Sequence, residues 1–132
     1  MRRIKLQKLM ERADEVVREK QLFLKQDFSK RDLAIELGTN RTYITEALSI
    51  CRHCRWREYV ASFRVKHFLR IAPLAENRRL RLEEMAMKCG FGSAKTLNRY
   101  LRLEYGITAS VYRKNLSTSL RAEGSANTAT LS

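Results

Sequence analysis

The chain has 132 residues, enough for one domain or two small lobes. Its apolar share of 44% can fill a core, while the charge is lopsided: 27 Lys and Arg against 14 Asp and Glu, a formal +13. Residues 115–132 hold only Arg121 and Glu123, so the excess lies in the body of the chain, and such a body suits a polyanion.

No apolar run approaches the ~20 residues needed to cross a bilayer. The opening MRRIKLQKLMERADEVV is broken by charge too often for a signal-peptide core. The chain is therefore expected to be soluble and cytoplasmic, without membrane contact. Its three cysteines, an odd number without a secretion signal, are expected to be reduced thiols. A single proline, Pro73, and the lack of any long alternating run predict an all-α chain.

Residues 1–23 read as an amphipathic helix. Leu6, Leu9, Ala13, Val16 and Phe23 share one stripe, with Met10 and Val17 beside it. The stripe is either a packing face or a dimer seam. In 24–54, Ser29 can cap a short helix with Asp32 as its capping-box partner, and Leu33, Ala34 and Leu37 form the apolar face. Gly38 supplies the left-handed residue that stops it. Asn40 then caps a second helix, running to about Ile50, with Ile44, Ala47 and Leu48 inward. Helix, glycine turn and helix give the outline of a helix-turn-helix.

Residues 55–73 read as a linker helix carrying Trp56, Tyr59, Val60, Phe63, Phe68 and Ile71, ended by Pro73. Residues 74–115 repeat the earlier outline about 53 residues on. Leu82–Lys88 is the short helix, Gly90 the stop, Ser93 the cap, and Leu97 and Leu101 face inward. Met85 and Ala86 match Leu33 and Ala34, and the second turn is one residue longer. Residues 116–132, rich in Ser, Thr, Ala and Gly, read as a disordered tail.

The stretch CRHCRW (51–56) raises metal and redox chemistry, since Cys51, His53, Cys54 and distant Cys89 number four. Adjacent His53 and Cys54 fit one tetrahedral ion poorly. The pair also follows a helix C-terminus, the unfavourable pole for a thiolate. A plain loop between two helices is the expected reading, with no metal and no cofactor. No phosphate loop, paired carboxylates or HExxH occurs, so no enzyme is expected.

Two helix-turn-helix units joined by one helix resemble the AraC/XylS-type DNA-binding domain over roughly residues 20–115. The second half, GFGSAKTLNRYLRLEYGITASVYRK, carries the more specific match: Gly90, Phe91, Ser93, Leu97, Arg99, Gly106, Thr108, Tyr112 and Arg113. LAIELGTNRTYITEAL matches in the first half, with Trp56, Tyr59 and Arg64 in the linker. Glycine is usual in that family where this chain has His53, proline where it has Ala109, and an aromatic where it has Leu48 and Leu101. The closest likeness is to output domains of large sensor-regulators, so an upstream sensor domain is a possible partner.

The resemblance implies homeodomain-like lobes, about seven helices, and a transcription regulator reading double-stranded DNA with two recognition helices ~10 bp apart. Related domains also occur fused to alkylation-repair enzymes, but the zinc-thiolate set such chemistry needs is missing here. The outward positions are Arg41, Thr42, Thr45 and Glu46 in the first unit, and Ala94, Lys95, Asn98 and Arg99 in the second. Arg41 or Thr42 could meet a base edge or phosphate. Glu46 could accept from cytosine or pair with a neighbouring arginine, and Asn98 could pair with adenine. Arg99 could fork onto guanine, or contact phosphate or a carboxylate. Lys30, Asn40, Arg52, Arg55, Ser93, Arg102 and Arg113 are candidate phosphate contacts, with Arg31 and Lys114 beside them. The alternative is an interaction module that dimerises or docks on a sensor through residues 6–23.

Overall fold

The computed structural model describes residues 1–118. They form an all-helical fold, with seven α-helices and no strand among the described residues. These are α1 (Arg2–Glu19), α2 (Lys30–Leu37), α3 (Arg41–Ala47), α4 (Trp56–Ile71), α5 (Leu82–Lys88), α6 (Ala94–Tyr105) and α7 (109–118). None of the described helices is long and apolar enough to cross a membrane.

The stripe on α1 is spent inside the chain. Leu6, Leu9, Met10, Ala13 and Val17 are buried, and α1 packs on α2, α3 and the turn after α3. A dimer seam through residues 6–23 is thereby corrected, because those side chains already have their partners. The helix is also shorter than the periodicity suggested. It ends at Glu19, Gln21 takes a left-handed φ of 50°, and Phe23 sits in a separate 3-10 turn, Leu22–Leu24. That break turns Phe23 onto Phe63 and His67 of α4, with ring centroids 5.8 and 5.5 Å away.

The caps read from sequence are all present. Ser29 Oγ accepts from Asp32 N (3.1 Å) while Asp32 Oδ2 accepts from Ser29 N (3.0 Å), closing a capping box on α2. Those bonds hold the Asp32 carboxyl below its usual range. Asn40 Oδ1 accepts from Tyr43 N (2.8 Å) at the start of α3, and Ser93 Oγ from Thr96 N (3.2 Å) at the start of α6. The two glycine stops are one motif used twice. Thr39 N donates to Ala34 O and Gly38 N to Ile35 O, and Phe91 N to Ala86 O and Gly90 N to Met87 O.

Two cores result, and α4 belongs to both. Tyr59 and Val60 complete the first, under α1, α2 and α3. Ala61, Val65 and Phe68 begin the second, under α5, α6 and α7. A residue such as Leu33 or Phe68, fully removed from water, contributes about 1.5–3 kcal/mol. The lobes meet where Gly90, at a φ of 95°, lies against the Phe23 carbonyl. Arg64 Nε donates to that same oxygen (2.7 Å), one Nη2–H donates to Lys25 O (2.8 Å), and the guanidinium lies over the Phe91 ring.

Helix α3 does not simply stop at Ala47. It widens into a π-helical turn, Leu48–Arg52, closed by His53 at a φ of 52°. That left-handed position favours glycine, and the histidine there carries strain. At the other end, α7 runs through residue 118 and half-buried Leu116 packs on the second core. The expected tail therefore cannot begin at 116, and its remainder, 119–132, lies outside the described residues.

Two substitutions separate crowding from backbone strain. A methyl at Gly90 would strike the Phe23 carbonyl and come within 2.8 Å of Arg64 Nε, whereas Gly38 has open space. Gly90→Ala should cost about 2–4 kcal/mol and Gly38→Ala about 1, read by urea unfolding. His53→Gly should raise stability by about 0.5–1 kcal/mol in the same assay.

Candidate nucleic-acid interface

On α3, burial of Ile44 and Ala47 leaves Arg41, Thr42 and Thr45 exposed. Thr45 Oγ1 donates to Arg41 O (3.0 Å) and accepts from Lys30 Nζ (2.7 Å), so Lys30 is drawn from α2 onto α3. Glu46 is half-buried and forms an ion pair with Arg2. Of the two readings open for Glu46 this is the pairing one, but the partner comes from α1 rather than from a neighbour in sequence. Asn40 is exposed, with its side-chain oxygen engaged as the helix cap.

On α6, Lys95, Arg99 and Arg102 are exposed, and Ala94 and Asn98 are half-buried. Arg99 folds along its neighbour, its guanidinium 5.0 Å from the Tyr100 ring centre and Nη2 donating to the Tyr100 hydroxyl (3.1 Å). Asn98 is also tied to the fold. Its Oδ1 accepts from Ala109 N (2.8 Å), the first amide of α7. A two-point pairing with adenine needs that oxygen, which keeps a second lone pair, so the bond to Ala109 N fixes the orientation from which Asn98 would have to pair. Proline at 109 would lack the N–H; alanine is what holds Asn98 in place.

Ser93 is likewise committed to the fold. Its Oγ is shared with the amide and the hydroxyl of Thr96, and the next amide, Ala94 N, donates to Glu83 Oε2 (3.2 Å). A carboxylate thus already occupies the start of α6, where phosphate was expected.

Two arginines expected to meet phosphate bond to the chain itself, Arg52 from an exposed position and Arg113 from a half-buried one. Arg52 pairs with Asp14 (2.5 Å), whose other oxygen accepts from the Tyr59 hydroxyl (2.8 Å), tying α1, the π-turn and α4 together. Burial, then Asp14, pushes the Tyr59 phenol far above its ordinary pKa. Arg113 donates to Leu80 O (2.6 Å), Arg78 O (2.6 Å) and Asn77 O (3.3 Å), holding the strand of backbone before α5. Arg55, Arg31 and Lys114 are exposed. Arg57, in the first turn of α4, is exposed as well; sequence reasoning passed over it, although it follows Trp56 directly.

These side chains share one surface. A recess along Arg41, Thr42 and Glu46 continues through Lys30, Thr45 and Ser49 into one lined by Arg55, Trp56 and Arg57. Trp56 and Arg57 also border a 250 Å³ cleft between the lobes, which runs past Thr96 and Arg99 into an 810 Å³ groove along Lys95, Asn98 and Arg102. Along this path lie Lys30, Arg41, Arg55, Arg57, Lys95, Arg99 and Arg102, with Arg64 at the cleft already bonded to carbonyls; of the carboxylates Glu46 lines the path and Glu83 stands at the start of α6 beside it.

No group of three potential metal ligands occurs among the described residues. Cys51 and Cys54 are half-buried and unpaired, and burial raises the Cys54 thiol above its ordinary pKa. Burial pushes buried Cys89 up to about 12. Comparison of the chain with family models, curated proteins and solved structures finds no match.

The contrast between Arg113 and an arginine of the basic surface is measurable. Arg113→Ala leaves the Leu80 and Arg78 carbonyls without this donor, while Asn77 O keeps Leu80 N, and should cost about 2–3 kcal/mol, whereas Arg99→Ala should stay within about 0.5 kcal/mol, both by thermal and urea unfolding.

Proposed function

We propose that this chain binds double-stranded DNA sequence-specifically as a transcription regulator, with α3 and α6 entering successive major grooves. The continuous surface with seven cations besides the committed Arg64 and one lining carboxylate carries this reading. Glu58 and Glu83 stand beside it, each held by a helix-start amide, but cations outnumber carboxylates, so a polyanion meets net attraction along the path. The surface joins the outer faces of two helices, each entered through a capped glycine turn, and an α-helix is the element that fits a major groove. The likeness of its motifs to AraC/XylS-type output domains points the same way. It also makes an upstream sensor the natural source of regulation.

The roles divide by chemistry. Arg41, Thr42, Lys95 and Arg99 stand where base edges would come, Arg99 suited to the two acceptors of guanine. Asn98 adds a donor. Lys30, Arg55 and Arg102 fit phosphate, which positions without specifying sequence. Glu46, neutralised by Arg2, repels the backbone less than a bare carboxylate would. The interaction-module alternative loses its main surface, because the stripe on α1 is buried.

Selection of bound duplexes from a random pool at near-physiological salt tests the reading. Two short blocks about one helical turn apart are expected. Arg99→Ala should relax one base position at a cost of about 1–3 kcal/mol, and Arg55→Ala should weaken all sequences alike and reduce the salt slope by about 1. Recovery of no motif would overturn sequence-specific recognition.

A further inference from the structure

We propose that Arg57 enters the minor groove between the two major-groove contacts, making the spacer of the target site a specificity element in its own right. The inference rests on the duplex-binding reading above and adds a residue and a base-composition rule to it.

Arg57 lies at the midpoint of the basic surface. It borders both the recess that leads to Lys30 and Thr45 and the cleft that leads to Thr96 and Arg99. On one side of B-form DNA, two successive major grooves have a minor groove between them. A side chain midway between α3 and α6 therefore faces that groove or its phosphate walls. Arg57 is exposed and takes part in none of the ion pairs of the described residues, so its charge is available. The adjacent carboxylate does not compete for it: Glu58 Oε1 is drawn back to accept from Arg55 N (3.1 Å) at the helix start.

The base on which Arg57 stands is stiff. Trp56 packs its ring on Phe28 and Tyr59, at 5.2 and 5.9 Å between centroids, which anchors this first turn of α4 in the first core. A guanidinium presented this way favours a narrow minor groove, where the potential is most negative. That favours A·T tracts, while the exocyclic amine of guanine obstructs entry.

The test uses three duplexes with identical outer blocks, taken from the selected site, and a central segment of A·T, G·C or inosine·cytosine pairs. Inosine·cytosine presents a major groove like G·C but lacks the minor-groove amine. The intact chain should bind the A·T and inosine·cytosine centres alike and the G·C centre about tenfold more weakly. Arg57→Ala and Arg57→Gln, checked for an unchanged helical spectrum, should bring all three to the G·C level. Equal weakening of all three by either substitution would make Arg57 a phosphate contact and overturn the proposal, as would an intact chain indifferent to the centre. Failure of the intact chain to bind any duplex would instead remove the underlying DNA reading.

Discussion

The relation between the two lobes hangs on one side chain. Arg64 extends from the middle of α4 and donates to the carbonyls of Phe23 and Lys25, which follow α1, while its face rests on Phe91 of the second lobe. Burial disfavours its charge and lowers its pKa. A buried guanidinium is tolerable only when its hydrogens find acceptors, and the turn after α1 supplies them. Gly90 completes the joint, because only a residue without a side chain lets the second lobe approach the oxygen that Arg64 already holds.

The chain's basic excess therefore has two uses. Arg52, Arg64 and Arg113 serve the fold, each placed where a turn leaves carbonyls exposed or where a half-buried carboxylate needs a partner. Another set stays on the surface and gathers along the path from α3 across the start of α4 to α6. The carboxylates follow a complementary pattern: Asp14, Glu46 and Glu83 each neutralise a site that the fold would otherwise leave charged or open. A count of charges cannot separate these uses, since an arginine's partner is decided by the tertiary fold.

That distinction also marks what could be read from the sequence. Local signals were legible because they are local: the capping box of Ser29 and Asp32, the Asn40 and Ser93 caps, and the glycine stops depend on residues within one turn of each other. The inward stripes of α3 and α6 followed from helical period, and with them the outward faces. Three things were hidden. Asn98 looks free on its helix and is held only because α7 begins beside it. Arg113 looks like a surface cation until the loop before α5 folds onto it. The early end of α1 depends on Phe23 finding Phe63 and His67, some forty residues away in sequence. None of these leaves a trace in periodicity or composition.

The division of α4 between two cores gives it the character of a ruler. Val60 belongs to one core and Ala61 to the next, with no slack between them. Each residue of an α-helix advances its axis by about 1.5 Å and turns it by about 100°. Inserting or deleting one residue at that boundary would swing a whole lobe through more than a right angle. It would also carry Arg64 away from the Phe23 carbonyl. The length of this helix is thus a phase setting: evolution can vary the side chains on either outer face, but the angular register between them changes only in steps too large for the joint to absorb.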